Sequence, residues 1–159
     1  MSGEVKPIPE GYHSVTPHLI IKGAREAIEF YKKAFGAEVV YTMDGPGGSV
    51  MHGEITIGDS HVFVADEMPQ MPGNGKSPSS LGGFTQSLMI YTEDTDAAYK
   101  RAVEAGGEET AAPEDMFWGD RYAKVTDPFG HQWQLATRIE NPTPEQIRER
   151  VAKMFGGGQ

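Results

Sequence analysis

The feature that most constrains this chain is that it says the same thing twice. An apolar run, QSLMIYTED, leads into a helix-patterned segment, TDAAYKRAVEAGG, and then into FWGDRYAKVTDPFGHQWQLAT, which reads as strands around a turn. The N-terminal half has the same order of elements. At a separation of 70 residues Ile20 matches Ile90, Ala27 matches Ala97, Gly36 matches Gly106 and Glu38 matches Glu108. Four identities carry little weight alone. The shared order of elements, with a glycine closing each helix, makes duplication the better explanation.

Residues 1 to 12 are polar and carry Pro7 and Pro9, which suits an extended arm. VTPHLIIKG is short and β-branched and ends in Gly23, so it reads as a strand. AREAIEFYKKAF places Ala27, Ile28, Tyr31, Ala34 and Phe35 on one helical face, with Gly36 where a left-handed C-cap belongs. AEVVYTM is a second strand and DGPGG a turn cluster. Strict alternation follows: Met51, Ile55 and Ile57 fall on one face, His52, Glu54 and Thr56 on the other. A turn at GDS and a strand HVFVAD complete a β-α-β-β-β unit. Residues 67 to 85 hold three prolines and four glycines. The expectation there is a long, mobile connection serving as a lid or only as a linker. The tail NPTPEQIRERVAKMF reads as a helix with Thr143 as N-cap, Pro144 in the first turn and Gln146 closing a capping box. Its stripe of Ile147, Val151, Met154 and Phe155 needs cover from its own domain or from a second subunit. GGGQ is a frayed end. The organisation expected is thus one domain over 1–159: a first module at 14–67, a connection at 68–85, a second module at 86–140 and a C-terminal helix at 141–155.

Charge narrows the partners. Fourteen Lys and Arg against 23 Asp and Glu give −9, with no basic stripe, so nucleic acid is not an expected partner. A cationic small molecule is electrostatically permissible. There is no cysteine, which removes disulfides and thiolate chemistry. No run approaches a membrane span and the N-terminus has no apolar signal core, so a cytoplasmic protein without membrane contact is expected.

The phrases AIEFYKKAFGAEVV, MHGEITIGDSHVFVADE, FWGDRYAKVTDPFGHQWQLAT and TPEQIRERVAKMF resemble the vicinal oxygen chelate superfamily. They are closest to its PhnB-like glyoxalase/bleomycin-resistance/dioxygenase-related group. The resemblance spans roughly residues 14 to 140 and implies an α+β fold. Two tandem βαβββ modules would form a curved open barrel around a cavity, helices outside, and a homodimer is expected, since relatives commonly build their cavities near subunit contacts. Metal-using members place one His or Glu ligand on the first and last strand of each module. Here those positions fall on Pro17, Ser87, Phe63 and Gln134, the last within DPFGHQWQL where a typical member has DPDGNRIEL. Proline and phenylalanine cannot ligate, and serine and neutral glutamine are poor ligands. No cofactor is therefore expected, with a divalent metal held by non-standard ligands as the alternative. His18 fits a ligand position only after a one-residue slip, which would reverse the strand's faces. The separation of 70 instead pairs it with Leu88 on the helix-facing side.

If Met51, Ile55 and Ile57 face the helix, then His52, Glu54 and Thr56 face the cavity. Tyr122, Lys124 and Thr126 take the matching places, Gln132 and Gln134 lie on the concave side of the closing strand, and Ser87, Met89 and Phe63 join them. Trp118 and Asp120 come to the mouth. The set describes a small-molecule pocket with aromatic walls and polar handles, or else a solvated sheet face. Glu54 is the candidate general base with His52 as its partner, although their backbones stand roughly 7 Å apart. His52, Glu54 and His61 could form an unrelated metal site. DPFGH reads as a structural turn, and Arg121 as an ion-pair partner of Asp120 or Asp127. Three functions follow: a metal-independent protein binding an aromatic or cationic compound, a metal-dependent lyase or dioxygenase, or a metal-free acid/base enzyme.

Overall fold

A computed structural model describes residues 5–156. Residues 1–4 of the expected arm and 157–159 of the expected frayed end lie outside the described residues. The chain divides into two compact units, one of residues up to 84 together with 128–130, the other of the remainder. Each contains one βαβββ module, and the fold is α+β.

The first module runs β1 (His18–Ile21), α1 (Ala24–Phe35), β2 (Glu38–Asp44), β3 (Val50–Ile57) and β4 (Ser60–Asp66), with a short 3-10 turn at Pro46–Gly48. Its sheet has the order β1-β4-β3-β2, with β1 parallel to β4 and the other pairs antiparallel. Helix α1 buries Ala24, Ala27, Ile28, Phe30, Tyr31 and Ala34. Leu19, Ile21, Ile55 and Val64 are the buried face of the sheet. No side chain of its own caps α1, because the N-cap is Gly23 in a left-handed conformation. Asp66 does the work from β4: Oδ1 accepts from the backbone N–H of Gly23 (2.9 Å) and Ala24 (3.0 Å), and Oδ2 from that of Val50 (2.7 Å). A carboxylate there also suits the positive end of the helix dipole. Gly36 closes α1 with φ 68°, as its position predicts.

The second module runs β5 (Ser87–Tyr91), α3 (Thr95–Glu104), β6 (Glu108–Asp115), β7 (Asp120–Thr126) and β8 (Gln132–Arg138), with sheet order β5-β8-β7-β6. Ala123, Val125, Trp133 and Leu135 are buried together with Tyr99 and Ala102 of α3. The turn before β8 is structural, as expected. Asp127 Oδ1 accepts the backbone N–H of His131 (2.9 Å) and Oδ2 the indole N–H of Trp133 (3.0 Å). The turn residues 128–130 cluster with the first unit, the Phe129 ring lying 6.5 Å from Phe30.

Three expectations need correction. The separation of 70 holds between β2–β3 and β6–β7, where Glu38 pairs with Thr56 as Glu108 pairs with Thr126. Between β1–β4 and β5–β8 His18 faces Phe63 as Met89 faces Gln134, a separation of 71. The second helix is shorter, 10 residues against 12, and the second hairpin is longer. Ile57 pairs with Ser60 across Gly58 and Asp59, whereas Thr126 pairs with Gln132 across 127–131. The shorter α3 also ends on Ala105, with Gly106 (φ 116°) one residue further on, so the two helix ends are not equivalent.

Met51 is not on the helix-facing side. The β2–β3 register passes from Met43 opposite His52 to Asp44 opposite Val50, a bulge that leaves Met51 unpaired and exposed and turns Val50 into the core.

The connection is not loose chain. It contains α2 (Pro78–Leu81), and the Glu67 carboxylate accepts from Ser77 N (3.3 Å), Ser77 Oγ (2.7 Å) and Ser80 Oγ (2.6 Å). Those hydroxyls, Ser80 first and then Ser77, hold the Glu67 carboxyl below its ordinary range. Met68 is buried, while Met71 and Phe84 are exposed.

Beyond the second module α4 (Pro144–Phe155) has the expected capping box: Thr143 Oγ1 accepts Gln146 N (3.3 Å) and Gln146 Oε1 accepts Thr143 N (2.8 Å). Of its apolar stripe, Ile147 and Val151 are half-buried and Met154 and Phe155 are exposed.

Candidate functional site

In each module the strand pleat puts one set of side chains under the helix and the alternate set on the opposite face. On the first module that opposite face carries His18 from β1, His52 and Glu54 from β3, and His61 and Phe63 from β4. Val62 and Val64 take the helix side. His18 is therefore not on the helix-facing side, since Leu19 and Ile21 are the buried residues of β1. The assumed separation of 70 had shifted the strand by one residue, and one residue reverses a strand's faces.

The rings of His18, His52 and Phe63 form a cluster. Phe63 lies 4.8 Å from His52 and 6.0 Å from His18, and the two imidazoles are 6.4 Å apart. Burial, then the neighbouring His52, pulls the His18 pKa below its ordinary value. Glu54 has a different partner from the one expected. His61 Nδ1 lies 2.8 Å from Glu54 Oε1, because His61 sits diagonally across the β3–β4 ladder from Glu54, whereas His52 turns toward Phe63. The side chains of His61 and Glu54 are 17% and 13% exposed.

The sequence reading missed Tyr12. From the N-terminal arm its hydroxyl donates to the same Glu54 Oε1, and its ring stacks on His61 at 4.1 Å, 6.1 Å from Phe63. The hydrogen bond to Glu54, with burial and the carboxylate's charge adding to it, pushes the Tyr12 phenol up to about 12. The only local signal was an aromatic residue inside an otherwise polar segment. Nothing in its spacing relates it to β3.

On the second module the opposite face carries Ser87 and Met89 from β5, Tyr122 and Lys124 from β7, and Gln132 and Gln134 from β8. Gln134 Nε2 donates to Ser87 Oγ at 2.6 Å. Lys124 Nζ stands 5.9 Å from the centre of the Tyr122 ring, and Trp118 meets that ring edge-on at 5.4 Å. Burial raises the Tyr122 phenol. Trp118 is fixed by Asp120, 1% exposed, whose Oδ2 accepts from Trp118 Nε1 (2.9 Å) and Tyr91 Oη (3.2 Å). Asp120 Oδ1 lies 2.9 Å from Arg138 Nε, an ion pair in distance though without an aligned hydrogen bond. Arg121 pairs with neither Asp120 nor Asp127. It grips Asp96 through two bonds (2.9 and 2.8 Å) and Asp115 through one (3.1 Å), because it alternates with Asp120 along β7 and points toward the helix side.

A family model described as the Glyoxalase/Bleomycin resistance protein/Dioxygenase superfamily matches residues 12–135. The chain belongs to this superfamily. Among relatives of this superfamily member, protein Rv0887c of Mycobacterium tuberculosis is 38% identical over 146 residues, covering 91% of this chain and 85% of that protein. The X-ray structure of a gene product from Arabidopsis thaliana is 29% identical with a TM-score of 0.64, over 79% of this chain and 98% of that one. The PhnB protein from Bacillus cereus shares the fold at 18% identity and a TM-score of 0.59, over 79% and 99% of the two chains.

The superfamily raises the question of a metal, and these residues do not fit one. Ser87 and Gln134 are joined to each other as neutral groups, and at the separation of 71 the residue that matches Ser87 is Thr16, a neutral hydroxyl, rather than Pro17, whose carbonyl accepts from Phe63 N (2.9 Å). Phe63 has no donor atom in its side chain. Among the described residues no group of three or more His, Cys, Asp and Glu is arranged to hold an ion, and that includes His52, Glu54 and His61. Among the same residues no helix is long and apolar enough to cross a membrane.

Proposed function

We propose that this superfamily member binds a small aromatic compound on the face of its second module, without a divalent ion. One observation carries the reading: at two of the positions where metal-using members place ligands, the Gln134 amide donates to Ser87. A carboxylate and an imidazole there would leave a gap for a cation, whereas an amide and a hydroxyl satisfy each other. The amide oxygen and the second N–H of Gln134 then remain for a ligand's polar groups.

The surrounding residues favour an aromatic ligand over a cationic one. Tyr122 and Trp118 offer ring surface, and Met89 offers a polarizable side chain. The charge of −9 attracts cations at long range, but the ammonium of Lys124 repels them at the face itself. An acid/base enzyme using Glu54 and His52 has less support, because Glu54 Oε1 already accepts from Tyr12 and His61 while His52 turns to Phe63. The homodimer and the cytoplasmic location are carried forward as part of the same proposal. The exposed Met154 and Phe155 of α4 give a second subunit something to cover.

Protein purified without chelator should contain less than stoichiometric transition metal by elemental analysis. It should bind a naphthalene-based fluorescent probe equally well with and without EDTA, and Q134A should weaken that binding about tenfold. Stoichiometric metal, with probe binding lost to EDTA, would overturn the proposal.

A further inference from the structure

We propose that the face of the first module is a phenol-binding site that the chain fills with its own Tyr12, so that the N-terminal arm is a displaceable strap. The site is complete in its parts. Glu54 supplies a carboxylate acceptor for a phenolic hydroxyl, His61 supplies a flat ring at 4.1 Å to stack on, and Phe63 closes one side at 6.1 Å. His61 is held in place by its own contact to Glu54 Oε1 at 2.8 Å, so acceptor and stacking surface are fixed relative to each other. Behind them His18 and His52 pack edge-on against Phe63.

The occupant is held differently from a core residue. Tyr12 comes from a segment outside every strand and helix. Among the described residues 5–15 the other hydrogen bonds are local, Tyr12 N to Pro9 O (3.3 Å) and Lys6 to Glu10 (3.1 Å), and the backbone joins the sheet only at Pro17 O, which accepts from Phe63 N (2.9 Å). The arm's apolar side chains do not pin it down: Val5, Ile8 and Val15 are 84%, 70% and 82% exposed. Among the described residues 5–15 one side chain, that of Tyr12, therefore anchors the segment to the sheet. A tethered group of this kind competes with free ligand through its effective concentration, and an external phenol that makes the same contacts can take its place. Specificity follows from the carboxylate: a compound that cannot donate leaves Glu54 without its bond and is disfavoured. This inference stands on the first module and does not depend on the reading of the second.

The test uses p-cresol as probe, with the ring protons of His61 followed by NMR and binding measured by titration. Y12A should bind p-cresol at least tenfold more tightly than the wild-type protein, and the His61 resonances should move. Toluene, which has no hydroxyl to donate, should show less than a third of that gain. E54Q in the Y12A background should remove most of it. Y12F keeps a ring in place and should fall between wild type and Y12A; it carries the test if circular dichroism shows Y12A to be unfolded. Equal p-cresol affinity in wild type and in the folded variants, or binding that leaves His61 unmoved, would overturn the inference. K124A and Q134A, made in the Y12A background, should leave the E54Q-sensitive gain in p-cresol affinity and the His61 shifts unchanged, whatever p-cresol the second module's face also takes up. Loss of that gain in these variants would place it on the second module and overturn the inference as well.

Discussion

The two modules share a strand order and almost nothing of what they present on the open face. The first has three imidazoles, a phenylalanine and a carboxylate, crossed by a tyrosine from outside the sheet. The second has amides, a hydroxyl and an ammonium beside two aromatic rings. The helix sides diverge too. Trp133 in β8 occupies the place that Val62 holds in β4, and its indole requires the buried acceptor Asp127, for which the first module has no counterpart on its shorter hairpin. The helix starts show the same divergence. Asp66 offers a carboxylate to three backbone N–H groups, whereas the matching Thr137 accepts the Thr95 N–H through one hydroxyl (3.0 Å), the Asp94 side chain covering Ala97 N (2.9 Å). Duplication preserved the backbone frame, and each copy found its own way to satisfy the same exposed groups.

That comparison can be broken in three places. The largest effect is expected in the cores. W133A should cost about 3–5 kcal/mol in urea unfolding, and V62A at the matching position about 2 kcal/mol at roughly 0.8 kcal/mol per buried methylene. Equal losses would mean that the indole is not the second core's anchor. Next come the helix starts. D66A removes a charged acceptor from three donors and should cost about 3 kcal/mol, against about 1 kcal/mol for T137A, read from the same unfolding curves. A reversed order would show that the two caps are interchangeable.

The smallest effect concerns the strap. Tyr12 should ionise late, near pH 12 where a free phenol titrates near 10, seen as a delayed part of the tyrosinate absorbance that Y12F reduces by one tyrosine, leaving the raised Tyr99 and Tyr122, and that E54Q returns toward 10. Because the folded pKa is raised, the contribution of Tyr12 to holding the arm is complete below pH 10 and is lost as pH climbs through about 12. A delayed component undiminished in Y12F would assign it to the other raised phenols, Tyr99 and Tyr122.

Much of the frame was legible. Gly36, the capping box at Thr143 and Gln146, and the alternation of Ala123 and Val125 with Tyr122 and Lys124 are local rules, and local rules can be read along a chain. The errors arose where one residue decided the outcome. The bulge at Met51 and the change of separation from 70 to 71 each reverse a strand face, and neither leaves a mark in residue type. The neutral pairing of Ser87 with Gln134 was foreseeable from the positions alone, since both lie on one face of adjacent strands.

By itself the sequence determined the two βαβββ modules, because hydrophobic period, turn residues and caps are set by neighbours within a few positions. Only the tertiary structure decided which groups meet. Glu54 and His61 stand on separate strands, and Tyr12 comes from 42 residues before Glu54. No spacing rule connects such residues, since their contact depends on strand register and on the path of the arm, and both are settled only when the whole sheet closes its hydrogen bonds.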